Sequence, residues 1–478
     1  MKLTRFVFAP ALLVGALLAS GCEKFLDIKP VSAKPDVESY NTLDKVEATL
    51  ANSYSYLQGG DLFGGQLQVL NELFADNVDL EGLTGTTGDA AFLNRQFSIF
   101  SNPGAATWTS AYKGIFQANL VVDAVDKQKF TAPVVDQNRL KGEALFIRAV
   151  AHFELLRLFA KPFSNNPTVD PGVPLRLKVV SNNEAANAKV GRARVGEVYA
   201  QVIADLQQAA GLLPPANGDR ATSWAAKAYL ARVYFEQLNY AEADKLATDV
   251  IANGGFPLGT PPTAVTAPFL QTGRNARAAS VIFQVDNAQG ADGGGGLRGA
   301  FYSFSASNVR LALVSTGPDN IATALRLRGG VRYDSLVVVK DPSDPTQLAP
   351  RPYSRKYRGP DAFGSIPTNI PVLRVQELYL TRAESRALLG AGDAAVRADL
   401  NAVRAAAGRP ADNASTGAAL LAAVRDERRL ELVLEGDRFQ QLRRLRLPSR
   451  GQPFNSGRLL PIPLSEISGN AGIEQNGD

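Results

Sequence analysis

Residues 223–255 read SWAAKAYLARVYFEQLNYAEADKLATDVIANGG. Two short helical runs, 223–237 and 240–252, lie either side of a tight turn. Leu230, Ala231, Tyr234, Tyr240, Ala243 and Ala247 alternate small and large at helical spacing. The small residues let two antiparallel helices approach, and Leu and Tyr fill the gap between them. Gly254 and Gly255 close the unit. The arrangement returns at 373–407. There Leu380, Ala383 and Leu388 precede the turn Gly390-Ala391-Gly392, and Ala395, Leu400 and Val403 follow it.

A helix hairpin of about 34 residues is the tetratricopeptide repeat unit, so the two stretches predict a mainly helical body. Other periodic segments extend it. Leu43, Val46, Leu50, Ala51 and Tyr54 share a face, and Phe63 to Phe74 is a second short run. Trp108 to Val125 places Trp108, Tyr112, Ile115, Phe116, Asn119 and Leu120 on one side. Arg139 to Phe159 stops before Pro162, and Val195 to Leu213 before Pro214-Pro215. Leu420 to Leu445 reads as a last helix. Residues 79–107 read as one long loop rich in Gly, Thr, Ala and Asn, and such loops are usually functional. Segment 256–370 reads as loops with short strands at Ser280–Val285 and Tyr333–Val339. The expected organisation is therefore a helical body at 42–255, a loop-rich insert at 256–370, and a helical repeat with a tail at 371–478.

The N-terminus belongs to none of these. Lys2 and Arg5 precede an apolar run from Phe6 to Leu18, then Ala19-Ser20-Gly21 and Cys22. The run is short of the roughly 20 residues a spanning helix needs. It reads as a secretory signal over 1–21, with small residues at the cleavage site. Cys22 at that boundary resembles a bacterial lipobox, although Ala19 stands where Leu is usual. An exported chain with one unpaired Cys needs an explanation, and acylation of Cys22 supplies it. Residues 22–41 would then be a lipidated tether.

Composition narrows the function. The chain has 478 residues, 45% of them hydrophobic and 20% charged, an ordinary globular balance. Net charge is +5 from 51 basic and 46 acidic residues, too even to argue for nucleic acid. One Cys excludes an intramolecular disulfide and a Cys-based zinc site, and one His excludes a multi-His metal site. No G-x-S-x-G motif accompanies His152, which reads as a packed helix histidine.

Motifs spread over nearly the whole chain resemble the SusD/RagB-like nutrient-uptake lipoproteins of Bacteroidetes. Cys22-Glu-Lys-Phe-Leu-Asp-Ile-Lys-Pro30 is similar to the family's start. Trp108, Tyr112, Ile115, Ala118 and Asn119 match a W…Y..I..AN pattern. Gly142, Glu143, Ala144, Arg148, Ala149, Phe153, Leu158 and Phe159 match its long helix, and Asp205-Leu206 with Leu212-Leu213-Pro214 the next segment. Arg220 to Thr222 with Ala231 to Tyr234, and Leu373-Arg374 with Glu377, Leu380, Ala383 and Glu384, fit the repeats. Glu427 to Leu432, Glu435 to Arg438 and Leu442 to Arg444 fit an "ERR.EL..EG.R..DLRR" helix. Leu460 to Pro463 and Glu474 to Asn476 fit the tail.

The resemblance implies a helical body of four tetratricopeptide-like units with a loop-rich second part. It implies a binding protein rather than an enzyme, with no catalytic residue, metal or cofactor. The protein would sit lipid-anchored on the outer membrane, facing outward, and pass glycan or peptide to a SusC-like TonB-dependent transporter. A tetratricopeptide scaffold for protein partners and a lipid-anchored hydrolase are the rival readings.

Candidate sites follow from these expectations. Glu427, Glu431 and Glu435, spaced i, i+4, could be an acid and base pair as in glycoside hydrolysis. They read better as a structural network neutralised by Arg428, Arg438 and Arg443. Arg443, Arg444 and Arg446 could bind an anion, but positive charge is already favourable at a helix C-terminus. The glycine tract at 293–296 lacks a phosphate-loop pattern. Both tryptophans, Trp108 and Trp224, read as core, which leaves Phe and Tyr for sugar stacking. The ligand site is expected on the loops at 79–107 and 286–305. Phe301, Tyr302 and Phe304 would supply ring faces, and Asp89, Asn94 and Arg95 hydrogen bonds. Binding of roughly −8 to −4 kcal/mol would allow release.

Overall fold

The computed structural model describes residues 40–80, 87–100, 102, 104–179, 189–286, 297, 300–301, 311–317, 320–339, 351–358, 368–453, 459–470 and 472–477. The signal segment, Cys22, the tether up to Val37-Glu38-Ser39, the glycine tract, Tyr302 and Phe304 lie outside the described residues.

The chain begins with helix α1 (Leu43–Gln58), whose first turn is capped by the Thr42 hydroxyl accepting from the Lys45 amide. Then come α2 (Gln66–Phe74), β1 (Val78–Leu80), α3 (Thr87–Leu93), α4 (Gly104–Asp126), α5 (Val134–Phe159) and α6 (Val195–Leu212). The hairpin α7 (Ser223–Glu236) and α8 (Tyr240–Asn253) follows, then β2 (Val281–Val285), β3 (Leu311–Leu313), α9 (Ile321–Arg328) and α10 (Arg332–Leu336). After β4 (Val337–Val339), β5 (Pro352–Ser354) and β6 (Ile370–Arg374) come α11 (Val375–Leu389), α12 (Asp393–Ala406), α13 (Gly417–Glu431), α14 (Asp437–Arg444) and α15 (Leu464–Gly469).

Among the described residues, eight of these helices stack in order. Helix α1 packs on α4, α4 on α5, α5 on α6, and so on through α7, α8, α11 and α12. They form four antiparallel pairs, the number the resemblance implies; repeat spacing alone finds only the last two. Small residues permit the close contacts. A Cβ on Gly142 of α5 would stand 2.9 Å from the Leu213 side chain just past α6. Ala226, Ala231, Ala243 and Ala247 are fully buried between α7 and its neighbours.

The long helix α5 lies at the centre and is buried on every side from Leu140 onward. Its buried polar groups are therefore partnered. Arg148 donates two hydrogen bonds to Asp205 at 2.8 Å, and Glu154 accepts from Arg157 and Tyr229. Its C-terminus has no glycine cap. The end carbonyls are satisfied from far along the chain: Arg157 O by Arg443 and Gln440, Leu158 O by the Leu460 amide at 3.1 Å, Phe159 O by Asn476 at 2.9 Å, and Ala160 O by Arg443. The C-terminal motifs thus close the helix of the central motif. Arg443 is consumed in this role. Arg444 pairs with Glu384 at 2.9 Å and covers the Phe235 ring, so neither is offered to an anion.

Two two-stranded antiparallel sheets, β1–β3 and β2–β6, join the insert to this frame, and a third, β4–β5, lies within it. Most of its buried apolar side chains, Phe283, Leu311 and Tyr357 among them, belong to the same hydrophobic cluster as the helical body, and Ala312 with Tyr353 forms a small separate one.

Four sequence expectations are corrected. Segment 79–107 is not one loop: α3 occupies its middle and α4 begins at Gly104. Tyr333–Val339 starts as helix and becomes strand only at Val337. The last helix is two, broken at 432–436, where Leu434 (φ 64°) and Gly436 (φ 79°) adopt the left-handed conformation. The glutamates of that region do form a buried network, but their counter-charges come from elsewhere. Arg332 reaches Glu427 at 2.7 Å and Glu431 at 2.6 Å. Arg374 holds Glu431 and Glu435, each at 2.7 Å, and Lys356 reaches Glu435 at 2.7 Å. Arg428 and Arg438, expected in that role, instead bind Asp437 and Asp76.

Candidate functional site

The expected loop residues part company in the structure. Asp89 is buried in the first turn of α3, Asn94 is exposed just beyond it, and Arg95 donates to the Ser449 carbonyl at 3.0 Å. Phe301 corrects the platform expectation. Leu297, Ala300 and Phe301 are helical and buried, an i, i+3, i+4 face, and Phe301 is 1% exposed near the Tyr357 ring. Its faces are spent in the core and cannot stack on a ligand. The two loop segments nevertheless spring from one place. In β1–β3, Leu80 stands opposite Leu311, so the chain leaving β1 and the chain entering β3 share an edge. Arg351 joins them, donating to Leu80 O at 2.6 Å.

A different place offers the more complete geometry. Between α4, the extended segment Pro174–Lys178 and α15 lies an open cleft of about 440 Å³, lined by Tyr112, Phe116, Asn119, Pro174, Arg176, Lys178 and Glu466. Helix α4 turns Trp108, Ile115 and Asn119 into the core, and Tyr112 to its margin. One turn beyond Tyr112, Phe116 is left 41% exposed at the cleft.

The far wall is built by side chains. Pro171 to Val173 pairs with 192–194, but Pro174 to Leu177 has no ladder among the described residues, and its backbone groups are paired by side chains of the helices. Tyr112 donates to Pro174 O at 2.8 Å, Asn119 to Arg176 O at 2.9 Å, and Arg148 to Leu177 O at 3.4 Å. The Arg176 amide donates to His152 Nε2 at 3.3 Å. His152 Nδ1 lies 2.9 Å from Arg148 O, so that nitrogen carries the proton and the ring is neutral. Burial agrees, pushing the imidazole down to about 3. His152 is thus a positioning residue, as its apolar helical setting suggests. Burial and the nearby Glu466 also push the Tyr112 phenol well above its ordinary range.

With the backbone held, the side chains of Arg176, Lys178 and Glu466 line the cleft. Among the described residues none of the three has an ion-pair partner or a side-chain hydrogen bond. Trp108 is core as expected, packed edge-on to Phe159 at 4.9 Å, whereas Trp224 is only partly buried, with Lys227 over its ring. Sequence reading missed this cleft. Phe116 reads as part of the packed face, and no spacing links positions 116, 176 and 466.

Comparison with known proteins agrees with this architecture. Residues 24–235 match a SusD-like family described as "Starch-binding associating with outer membrane", and residues 353–458 match the SusD family. A SusD-like protein P2 of Formosa agariphila is 26% identical over 95% of this chain and 96% of its own. Among solved structures, a putative sugar-binding protein from Bacteroides vulgatus superposes with TM-score 0.78 at 26% identity, covering 92% of this chain and 99% of that one. A laminarin-binding SusD-like protein has TM-score 0.71 at 22% identity, over 91% and 99%. Four stacked helix pairs with a loop-rich insert define the class, a helical-repeat protein of the SusD-like kind. The chain belongs to the SusD/RagB family.

Proposed function

We propose that this is a lipid-anchored binding protein of the outer-membrane surface, which captures glycan and hands it to a TonB-dependent transporter without chemical change. The family match over both halves of the chain carries the reading. The binding properties that name its relatives, starch for one family and laminarin for one structure, support glycan rather than peptide. The leader and Cys22 support the anchor. The Tyr112–Phe116 cleft is the described surface best fitted to a sugar, with one exposed ring, polar groups around it and room for a short oligosaccharide. Its histidine is neutral and tied into the backbone, and the carboxylates of α13 are bound by arginines. Neither is poised for hydrolysis.

The test uses the purified chain with a panel of oligosaccharides. The expected outcome is binding in the micromolar to millimolar range, roughly −8 to −4 kcal/mol. The oligosaccharide should be recovered intact by chromatography. New reducing ends that scale with protein concentration would replace the binding reading with a hydrolytic one. For delivery, the tagged protein extracted in mild detergent from its host should bring a large β-barrel transporter with it.

A further inference from the structure

We infer that the cleft between Phe116 and Arg176 is selective for an acidic sugar, one bearing a carboxylate or a sulfate. The inference rests on the cleft being the glycan site. It comes from charge and geometry together. Phe116 offers one apolar face at the cleft, suited to the C–H face of a pyranose. Arg176 and Lys178 bring two cations into the same cleft against the single carboxylate of Glu466. Neither cation is in an ion pair among the described residues, in a protein where most buried and half-buried arginines are matched.

The backbone beneath them is rigid. The Arg176 amide is bonded to His152 and its carbonyl to Asn119, and the Leu177 carbonyl accepts from Arg148. The backbone that carries the cations is therefore fixed before any ligand arrives, so binding has to order only their side chains. A guanidinium binds a carboxylate or sulfate through paired, charge-assisted hydrogen bonds, and the ammonium adds a second point of attraction. Glu466 is left to accept from sugar hydroxyls. A neutral sugar would stack on Phe116 equally well but would desolvate the two cations without compensation.

The experiment is calorimetric titration of three oligosaccharides of equal length: a uronic-acid oligomer, a sulfated oligomer and a neutral glucan. Each is measured on the wild type, on Arg176→Gln/Lys178→Gln and on Phe116→Ala. At least one acidic oligomer should bind about tenfold or more tighter than the neutral one, with an affinity that falls as salt rises. Which of the two does so identifies the anionic group. The double variant should lose about 10- to 100-fold for that oligomer and little for the neutral one. Phe116→Ala should weaken all that bind. Equal binding of acidic and neutral oligomers, abolished by Phe116→Ala and untouched by the double variant, overturns the charge selectivity and leaves the cleft as a glycan site. Tight acidic binding that neither variant alters overturns the location as well. An acidic peptide that binds as tightly as the uronic-acid oligomer overturns the sugar. Unchanged thermal melting of the variants confirms that they fold.

Discussion

His152 couples one proton to the whole molecule. Its ordinary imidazole value near 6.5 falls to about 3 because burial disfavours the charged ring. As pH drops through 6.5 the unfolded chain takes up a proton that the folded chain refuses until about pH 3. Stability is therefore drained across that window, by about 1.4 kcal/mol per pH unit. Glutamine can keep both hydrogen bonds, to the Arg148 carbonyl and from the Arg176 amide, and does not titrate. Urea unfolding of His152→Gln should thus lose about 2 kcal/mol less than wild type between pH 6.5 and 4.5. Parallel pH profiles would mean that the ring protonates in the folded state. The residue was legible as a packed histidine because Phe153 and Leu156 surround it in sequence. Its hold on Arg176 was not, since nothing in a helix pattern says which extended segment will lie across it. Phe301 failed for the complementary reason. Aromatic clustering looks the same in sequence whether the rings face ligand or core.

At the scale of elements, the break between α13 and α14 shows what periodicity hides. The apolar and charged spacing from Leu420 to Leu445 continues without interruption, yet Leu434 and Gly436 turn the chain. Glu431 at the end of α13 and Glu435 in the turn meet Arg332, Arg374 and Lys356, which come from earlier parts of the chain. Burial alone would raise the Glu431 carboxyl, but Arg332, Arg374 and Lys356 hold it down to about 2. Glu431→Gln leaves two buried guanidiniums short of counter-charge and should cost about 3–5 kcal/mol in urea unfolding at neutral pH. Glu242→Gln breaks only the exposed pair with Lys245 and should change stability by under about 0.5 kcal/mol. Similar losses at both sites would contradict the network. The hairpins α7–α8 and α11–α12 were legible because their packing is local, small residue against large one turn away. The network was legible as a network but not in its partners, because sequence spacing carries no record of contacts 57 to 99 residues apart.

For the molecule as a whole, no described helix is long and apolar enough to cross a membrane, and the proposed anchor is Cys22. Cys22→Ala should move the protein from carbonate-washed membranes to the soluble fraction in a strain lacking the partner transporter. A variant that stays with those membranes would refute lipidation as the anchor. Acyl chains add about 0.8 kcal/mol per buried CH₂, so two or more hold firmly and none holds at all. The stacked frame was legible from its repeats and motifs; the cleft was not, because it exists only once residues 116, 176 and 466 have been brought together. The closure of α5 carries a last consequence. Its end carbonyls at Arg157 and Phe159 find donors at Gln440 and Asn476, 283 and 317 positions later. A chain made from its N-terminus leaves that helix end open until almost everything else has been synthesised, and contacts of such separation form late. The tail therefore completes the frame last: among the described residues, a copy cut short just before Leu460 leaves the Leu158 carbonyl without its donor and the Phe159 carbonyl with Arg192 alone, at the centre of the fold.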